Sequence, residues 1–225
     1  CTDSPLFDLE TVVCTPHLGA STTEAQDRAG SIIAEQVVSV LQGGTPAFPV
    51  NAPSVAKEVM EALSPYFELC DNMGMLFSGL FDGNLENIKI IFSGKVAEYD
   101  TSILKSRILV KILGKYSMHD VNMVNVGLIA DENGLKVEEV KTSKSSDFVN
   151  LITLEGSGKD GNLSISGTIT GKKNKPRFIG VDEFELDMVP SPHMAFIRYE
   201  DVPGQIGRIG TAFGELGVNI AAMHV

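Results

Sequence analysis

The sequence predicts an α+β chain made of more than one compact part. Two proline-rich breaks divide it, TPAFPVNAP (45–53) and MVPSPH (188–193), and they separate regions at 1–53, 54–190 and 191–225. Between the breaks, helical spacing comes early and hairpin-like alternation comes late, the order expected of an α+β domain. With 225 residues, 43% of them hydrophobic, the chain can bury a real core.

In the first part, TVVCTP (11–16) is an apolar run suited to a buried strand, and Thr15, before Pro16, is held extended. A helix should follow. Ser21 and Glu24 spell the Ser-x-x-Glu capping pattern, and Ala25, Ala29, Ile32, Ile33, Val37, Val40 and Leu41 recur at helical spacing until Gly43 and Gly44 stop it. In the second part the spacing predicts helices over 54–64, 66–82, 100–114 and 121–132. Strands are predicted over 87–98, 135–141, 149–155, 162–170 and 177–188, with turns at DGN (160–162) and GKKNKPR (171–177). Lys105, Arg107 and Lys111 read as the wet face of one helix, and Met73, Met75, Met118, Met123 and Met188 as core filler. The third part reads as strand HMAFIRY (193–199), a turn EDVPG, a helix over 204–216, and strand VNIAAMHV (218–225). Its helix should turn Ile206, Ile209, Phe213 and Leu216 inward and be capped by Gly217. A last strand with a free edge, and no initiator Met, lead us to expect a piece of a longer protein or pairing with another chain.

Charge narrows the partners. Eighteen Lys+Arg against 29 Asp+Glu give a net charge of −11, which repels nucleic acid and anionic lipid, so an anion must be held by a local patch. No apolar run approaches the roughly 18 residues that span a bilayer, and CTDSPLFDLE is not a signal peptide. Cys1, Cys14 and Cys70 are few and unevenly spaced, which suits a reduced, cytoplasmic protein. His119, His193 and His224 have no ligand spacing, so no metal site is expected.

The stretch TPHLGASTTEAQ (15–26) places His17 between a proline and a leucine-glycine pair. A histidine titrates near neutral pH and can exchange the hydroxyl proton of an alcohol being oxidised. Pro-His-x-Gly alone fits a satisfied histidine at a strand end better than a catalytic one. The longer string TVVCTPHLGASTTEAQ resembles the last active-site segment of D-3-phosphoglycerate dehydrogenases, in the D-2-hydroxyacid dehydrogenase family. Residues 54–190 are similar to that family's intervening allosteric substrate-binding domain. Residues 191–225, with DVPGQIG and GVNIAAM, resemble the first half of its ferredoxin-like ACT domain.

That resemblance implies the end of an α/β dehydrogenase part at 1–53, an oxidoreductase of serine biosynthesis using NAD, and a homo-oligomer assembled through the ACT and intervening domains. His17 would be the catalytic acid/base, and the backbone of His17, Leu18, Gly19 and Ala20 would pass the nicotinamide. The orienting carboxylate, the substrate-gripping arginine and the phosphate loop would lie upstream of Cys1. GSGKDG (156–161) has strand-like runs on both sides and no helix behind it, so it reads as a loop. The chain alone should therefore be inactive.

The resemblance also implies an effector site for L-serine or a similar small molecule at Tyr199, Asp201, Gly204 and Asn219. Tyr199 and Asp201 stand where well-known serine-binding members carry histidine and asparagine. Lys172, Lys173, Lys175 and Arg177 are candidates for contact with an anion such as 3-phosphoglycerate, against the plainer reading of a solvated hairpin tip. Two other readings stay open: a stand-alone ACT-type binding module, and a complete enzyme using some other site.

Overall fold

A computed structural model describes residues 4–42, 50, 57–117, 120–144 and 148–225. Contacts divide the chain into two compact units, Cys1–Val50 and Asn51–Val225.

The first unit is dominated by helix α1, Thr23–Leu41. The expected Ser21 cap is displaced by one residue: the Thr22 hydroxyl accepts the Ala25 N–H at 3.2 Å. In a Ser-Thr-Thr run each hydroxyl can cap, and the one three residues before a free amide wins. The helix stops with Gln42 as its C-cap, and Gly43 and Gly44 lie outside the described residues. The strand expected over TVVCTP is not formed. A strand needs a neighbour to satisfy its backbone, and no paired strand occurs among the described residues of this unit.

In the second unit, α2 (Lys57–Leu63) leads through a 3-10 turn into α3 (Phe67–Leu80). Strand β1 (Leu85–Gly94) follows, then α4 (Ser102–Tyr116), α5 (Val126–Glu132) and β2 (Lys136–Thr142). Four more strands complete the sheet: β3 (Asn150–Gly158), β4 (Gly161–Thr170), β5 (Lys175–Val181) and β6 (Phe184–Met188). The strand order is β2-β1-β3-β4-β5-β6. Only β1 and β2 run parallel, as their helical crossover requires; the other pairs are antiparallel.

Alternation selects the core face. Ile88, Ile90 and Phe92 of β1, with Ile152 and Leu154 of β3, point one way and are buried under α3 and α4. Helix α3 lies close because the sheet beneath it carries glycine. A Cβ on Gly156 would sit 2.1 Å from the Phe77 ring, and one on Gly167 would sit 2.8 Å from Leu69. Gly74 does the same between helices, where a Cβ would meet the Ile108 carbonyl at 2.7 Å.

Three expectations change here. The strand expected over 87–98 ends at Gly94, whose φ of +86° and approach to the Val149 carbonyl turn the chain into a 3-10 segment. The strand expected over 177–188 is two strands, broken at Asp182 with φ +52°. The strands expected over 193–199 and 218–225 are not formed, leaving α6 (Gln205–Glu215) between unpaired segments. The apolar side of α6 is covered in part: Ile209 and Phe213 are half-buried, while Ile206 is 48% exposed and the C-cap Leu216 80%.

Lys105 and Arg107 are not a wet face. Arg107 pairs with Asp71 of α3 and stacks 4.6 Å from the Phe67 ring centroid. Lys105 reaches Glu139 on the edge strand at 2.8 Å. Glu139 also accepts from buried Thr101 at 2.6 Å and faces Lys141 at 3.5 Å. Of the methionines expected in the core, Met73 is fully buried and Met75 half exposed; Met118 lies outside the described residues.

Gly156→Ala should lower stability by about 1–3 kcal/mol or more, because the Phe77 ring has no room to yield. Gly114→Ala, in α4 with nothing within 4 Å of its Cβ, should gain roughly 0.5–1 kcal/mol. Urea unfolding of both variants checks the contrast. Burial alone would raise the Glu139 carboxyl, but the Lys105 and Thr101 hydrogen bonds and the two lysine charges leave it below its ordinary value. A depressed folded value contributes stability above the unfolded value, lost as pH falls through the folded one. Glu139→Gln should therefore cost about 1–3 kcal/mol at pH 7 and flatten the stability loss on acidification below about pH 4.5. Equal slopes for both proteins would contradict this.

Candidate functional site

A cleft lies at the N-terminus of helix α6, beside predicted functional residues. Tyr199, Asp201, Pro203, Gly204 and Ile206 are among the residues lining a cleft of about 430 Å³, within the usual range for small-ligand sites. Gly204 is the N-cap residue, with φ +96°, a conformation that favours glycine. It brings no side chain to the helix end, and no side-chain cap is made there. The Gln205 N–H donates to the Val202 carbonyl at 3.4 Å, so the Ile206 and Gly207 amides, with the positive end of the helix dipole, are what this end of α6 offers. Asp201 supplies the opposite charge, and Tyr199 a hydroxyl that both donates and accepts. Tyr199, Asp201 and Gly204 are thus brought together, whereas Asn219 is not among the lining residues.

In the first unit, His17 lies in an exposed turn. The Leu18 carbonyl accepts the Ser21 N–H at 3.0 Å, and a Cβ on Gly19 would meet nothing within 4 Å. Among the described residues His17 has no hydrogen bond or ion pair to a carboxylate. Cys14, three residues earlier, is exposed; Cys70 is on the buried side of α3, where burial pushes its thiol up and keeps it unreactive.

GSGKDG has the spacing of a dinucleotide-binding loop but not its context. Gly156 and Gly158 belong to β3, Gly161 opens β4, and Gly158 pairs with Gly161 across the turn. A hairpin offers no helix N-terminus to a pyrophosphate, so these residues do not fit that group. The basic run is likewise divided. Lys172 and Lys173 sit on an exposed turn, while Lys175 and Arg177 lie on one face of β5. Arg177 is already engaged, pairing with Asp187 and donating from Nε to Thr170. The face of the sheet opposite the helices carries a groove of about 600 Å³, where Lys89 and Glu155 face each other at 3.8 Å across the ladder. Among the described residues no cluster of His, Cys, Asp and Glu is placed to hold a metal, and no helix is long and apolar enough to cross a membrane.

Sequence reasoning missed the Asp71–Arg107 pair and the Thr101–Glu139–Lys105 cluster. Both join residues more than 30 positions apart, and no local pattern marks them.

The profile described as D-3-phosphoglycerate dehydrogenase intervening domain matches residues 62–182, just over half the chain. The chain belongs to this family. The match runs from the end of α2 to the β5–β6 turn and so takes in both helices packed on the sheet. Proteins named D-3-phosphoglycerate dehydrogenase are similar along almost the whole chain. The Methanocaldococcus jannaschii protein is 36% identical over 223 residues, 99% of this chain and 42% of its own length. Those of Archaeoglobus fulgidus and Synechocystis are 34% and 35% identical, again over 99% of the chain and 42% and 40% of their lengths. The chain spans about two fifths of the length of these curated relatives.

Gly204→Ala should strain the α6 start by about 1–2 kcal/mol, since an L-residue pays that for a left-handed conformation. Faster amide exchange across Gln205–Ile209, with β1–β4 unchanged, is the expected reading.

Proposed function

We infer that this chain is the regulatory portion of an NAD-dependent D-3-phosphoglycerate dehydrogenase, which oxidises D-3-phosphoglycerate at the first step of L-serine synthesis. Its own contribution is effector binding and homo-oligomer assembly. The observation that carries this reading is the cleft at Tyr199–Gly207, in a chain aligned along nearly its whole length with dehydrogenases of that name. An α-amino acid suits the cleft. Its carboxylate meets the uncapped α6 terminus, its ammonium meets Asp201, and Tyr199 serves a hydroxyl side chain such as serine's. Asn219 joins the site in this reading through the partner-dependent order of its segment, because ACT domains pair.

His17 is the acid/base residue of the whole enzyme, with Leu18, Gly19 and Ala20 beside the cofactor. Because the described residues offer no dinucleotide cradle, the 225-residue chain by itself should bind NAD poorly and turn over no substrate. Lys172, Lys173 and Lys175 remain the candidates for an anion such as 3-phosphoglycerate, with Arg177 drawn off by Asp187. A free-standing ACT module has no use for the His17 segment, and the 99% alignment running through it counts against that alternative.

Calorimetric titration of the chain with L-serine should give saturable heat, NAD none. Asp201→Asn should weaken serine about 10- to 100-fold, the loss of one hydrogen bond to a charged group. Serine heat unchanged in Asp201→Asn would move the site elsewhere, and tight NAD binding would defeat the reading of a chain without a nucleotide cradle.

A further inference from the structure

We propose that Arg198 is a positioning residue for the Tyr199–Gly207 cleft and couples it to the sheet through the β5–β6 turn, a role that rests on the effector reading above for the ligand's identity. Arg198 immediately precedes Tyr199 on the cleft wall, and its side chain reaches back to three consecutive residues of one turn. Nη2 donates to Glu183 Oε1 at 3.4 Å and lies 3.9 Å from Asp182 Oδ2, while the guanidinium carbon is 5.7 Å from the Phe184 ring centroid.

The turn that receives it is itself tied inward. The Asp182 N–H donates to the Ser164 carbonyl at 2.8 Å, and the Ser164 N–H donates to Asp182 Oδ1 at 2.9 Å. One Asp182 oxygen therefore faces β4, two strands in from the sheet edge, and the other faces Arg198. Upstream, Met194 packs against the hydrophobic core. The segment from β6 to the cleft is pinned at Met194 and at Arg198, with no paired strand between them.

Those facts assign the work. Residues 193–199 have no ladder to fix their direction, so the side chain nearest the cleft must do it. Arg198 is 72% exposed, and any one of its ion pairs would be weak alone. The three contacts act together, because the two carboxylates hold the one nitrogen Nη2 while the Phe184 ring sits against the guanidinium. A ligand that orders Tyr199 and Asp201 orders the Arg198 anchor and, through Asp182, the Ser164 hydrogen bonds. By reciprocity, loosening the turn weakens the ligand.

The test is amide hydrogen exchange on the 225-residue chain, with and without L-serine, for the parent, Arg198→Ala, Arg198→Lys and Glu200→Ala. Serine should slow exchange at Ser164 and Asp182 several-fold in the parent and in Glu200→Ala. Arg198→Ala should bind serine a few-fold more weakly and lose that distant slowing; Arg198→Lys, keeping the charge without the planar fork, should recover part of it. Serine binding with no response at Ser164 and Asp182, or with the same response in Arg198→Ala, overturns the coupling. If serine does not bind the parent, the effector reading fails on its own. The positioning role is then read without ligand: faster exchange at Asp182 and Tyr199–Gly204 in Arg198→Ala but not in Glu200→Ala supports it, and no difference overturns it.

Discussion

Helix α3 can lie on the sheet only because β3 and β4 present glycine beneath it. With a Cβ at Gly156 or Gly167, Phe77 and Leu69 would be pushed off, and the apolar rows of β1 and β3 would lose their cover. Gly74 repeats the device within the helix layer, letting α4 nest against α3. The result is two layers, helices over sheet, and the largest fully buried side chains, Phe77, Phe92 and Phe178, belong to the one core at their seam. Close packing of this kind has little slack, since interiors are filled to near crystal density.

Charge is placed around that seam with the same economy. Half-buried ions occur where an opposite charge and a second contact are in place: Glu139 receives Lys105, Lys141 and the Thr101 hydroxyl, and Arg107 receives Asp71 and the Phe67 ring. Both clusters sit on α4, one at its N-terminal turn and one a turn further on. The first ties the parallel edge strand β2 to α4, and the second ties α4 to α3. A parallel edge strand carries its ladder on one side only, so this side-chain tether does what a second neighbour would do for an inner strand.

How much of this could be read from sequence depended on range. Alternation at Ile88, Ile90 and Phe92, the turn at 160–162, and the periodicity of α3 and α4 are local, and all were legible. The break at Asp182 was not, because a left-handed aspartate between two apolar runs looks like strand interior; Ser164, 18 residues earlier, stabilises it. Thr22 rather than Ser21 caps α1 because three adjacent hydroxyls leave the choice to backbone geometry. The runs at 11–16, 193–199 and 218–225 have strand composition without strand partners, and composition cannot supply the ladder. GSGKDG is the converse case. Its letters match a nucleotide loop, but the strand that follows makes it a hairpin.

The Tyr199–Gly207 cleft shows why its lining was readable while its support was not. Under the effector reading proposed above, a zwitterion's two charges would be met by Asp201 and by the start of α6, both from a single stretch of chain. Nothing in that stretch fixes where the loop points. With the flanking segments unpaired, direction comes from outside, through Arg198 onto a turn at 182–184 that owes its own shape to β4. A site local in sequence thus rests on a scaffold that is not. Substitutions far from the ligand, at Asp182 or Ser164, act on the same wall as substitutions at Tyr199.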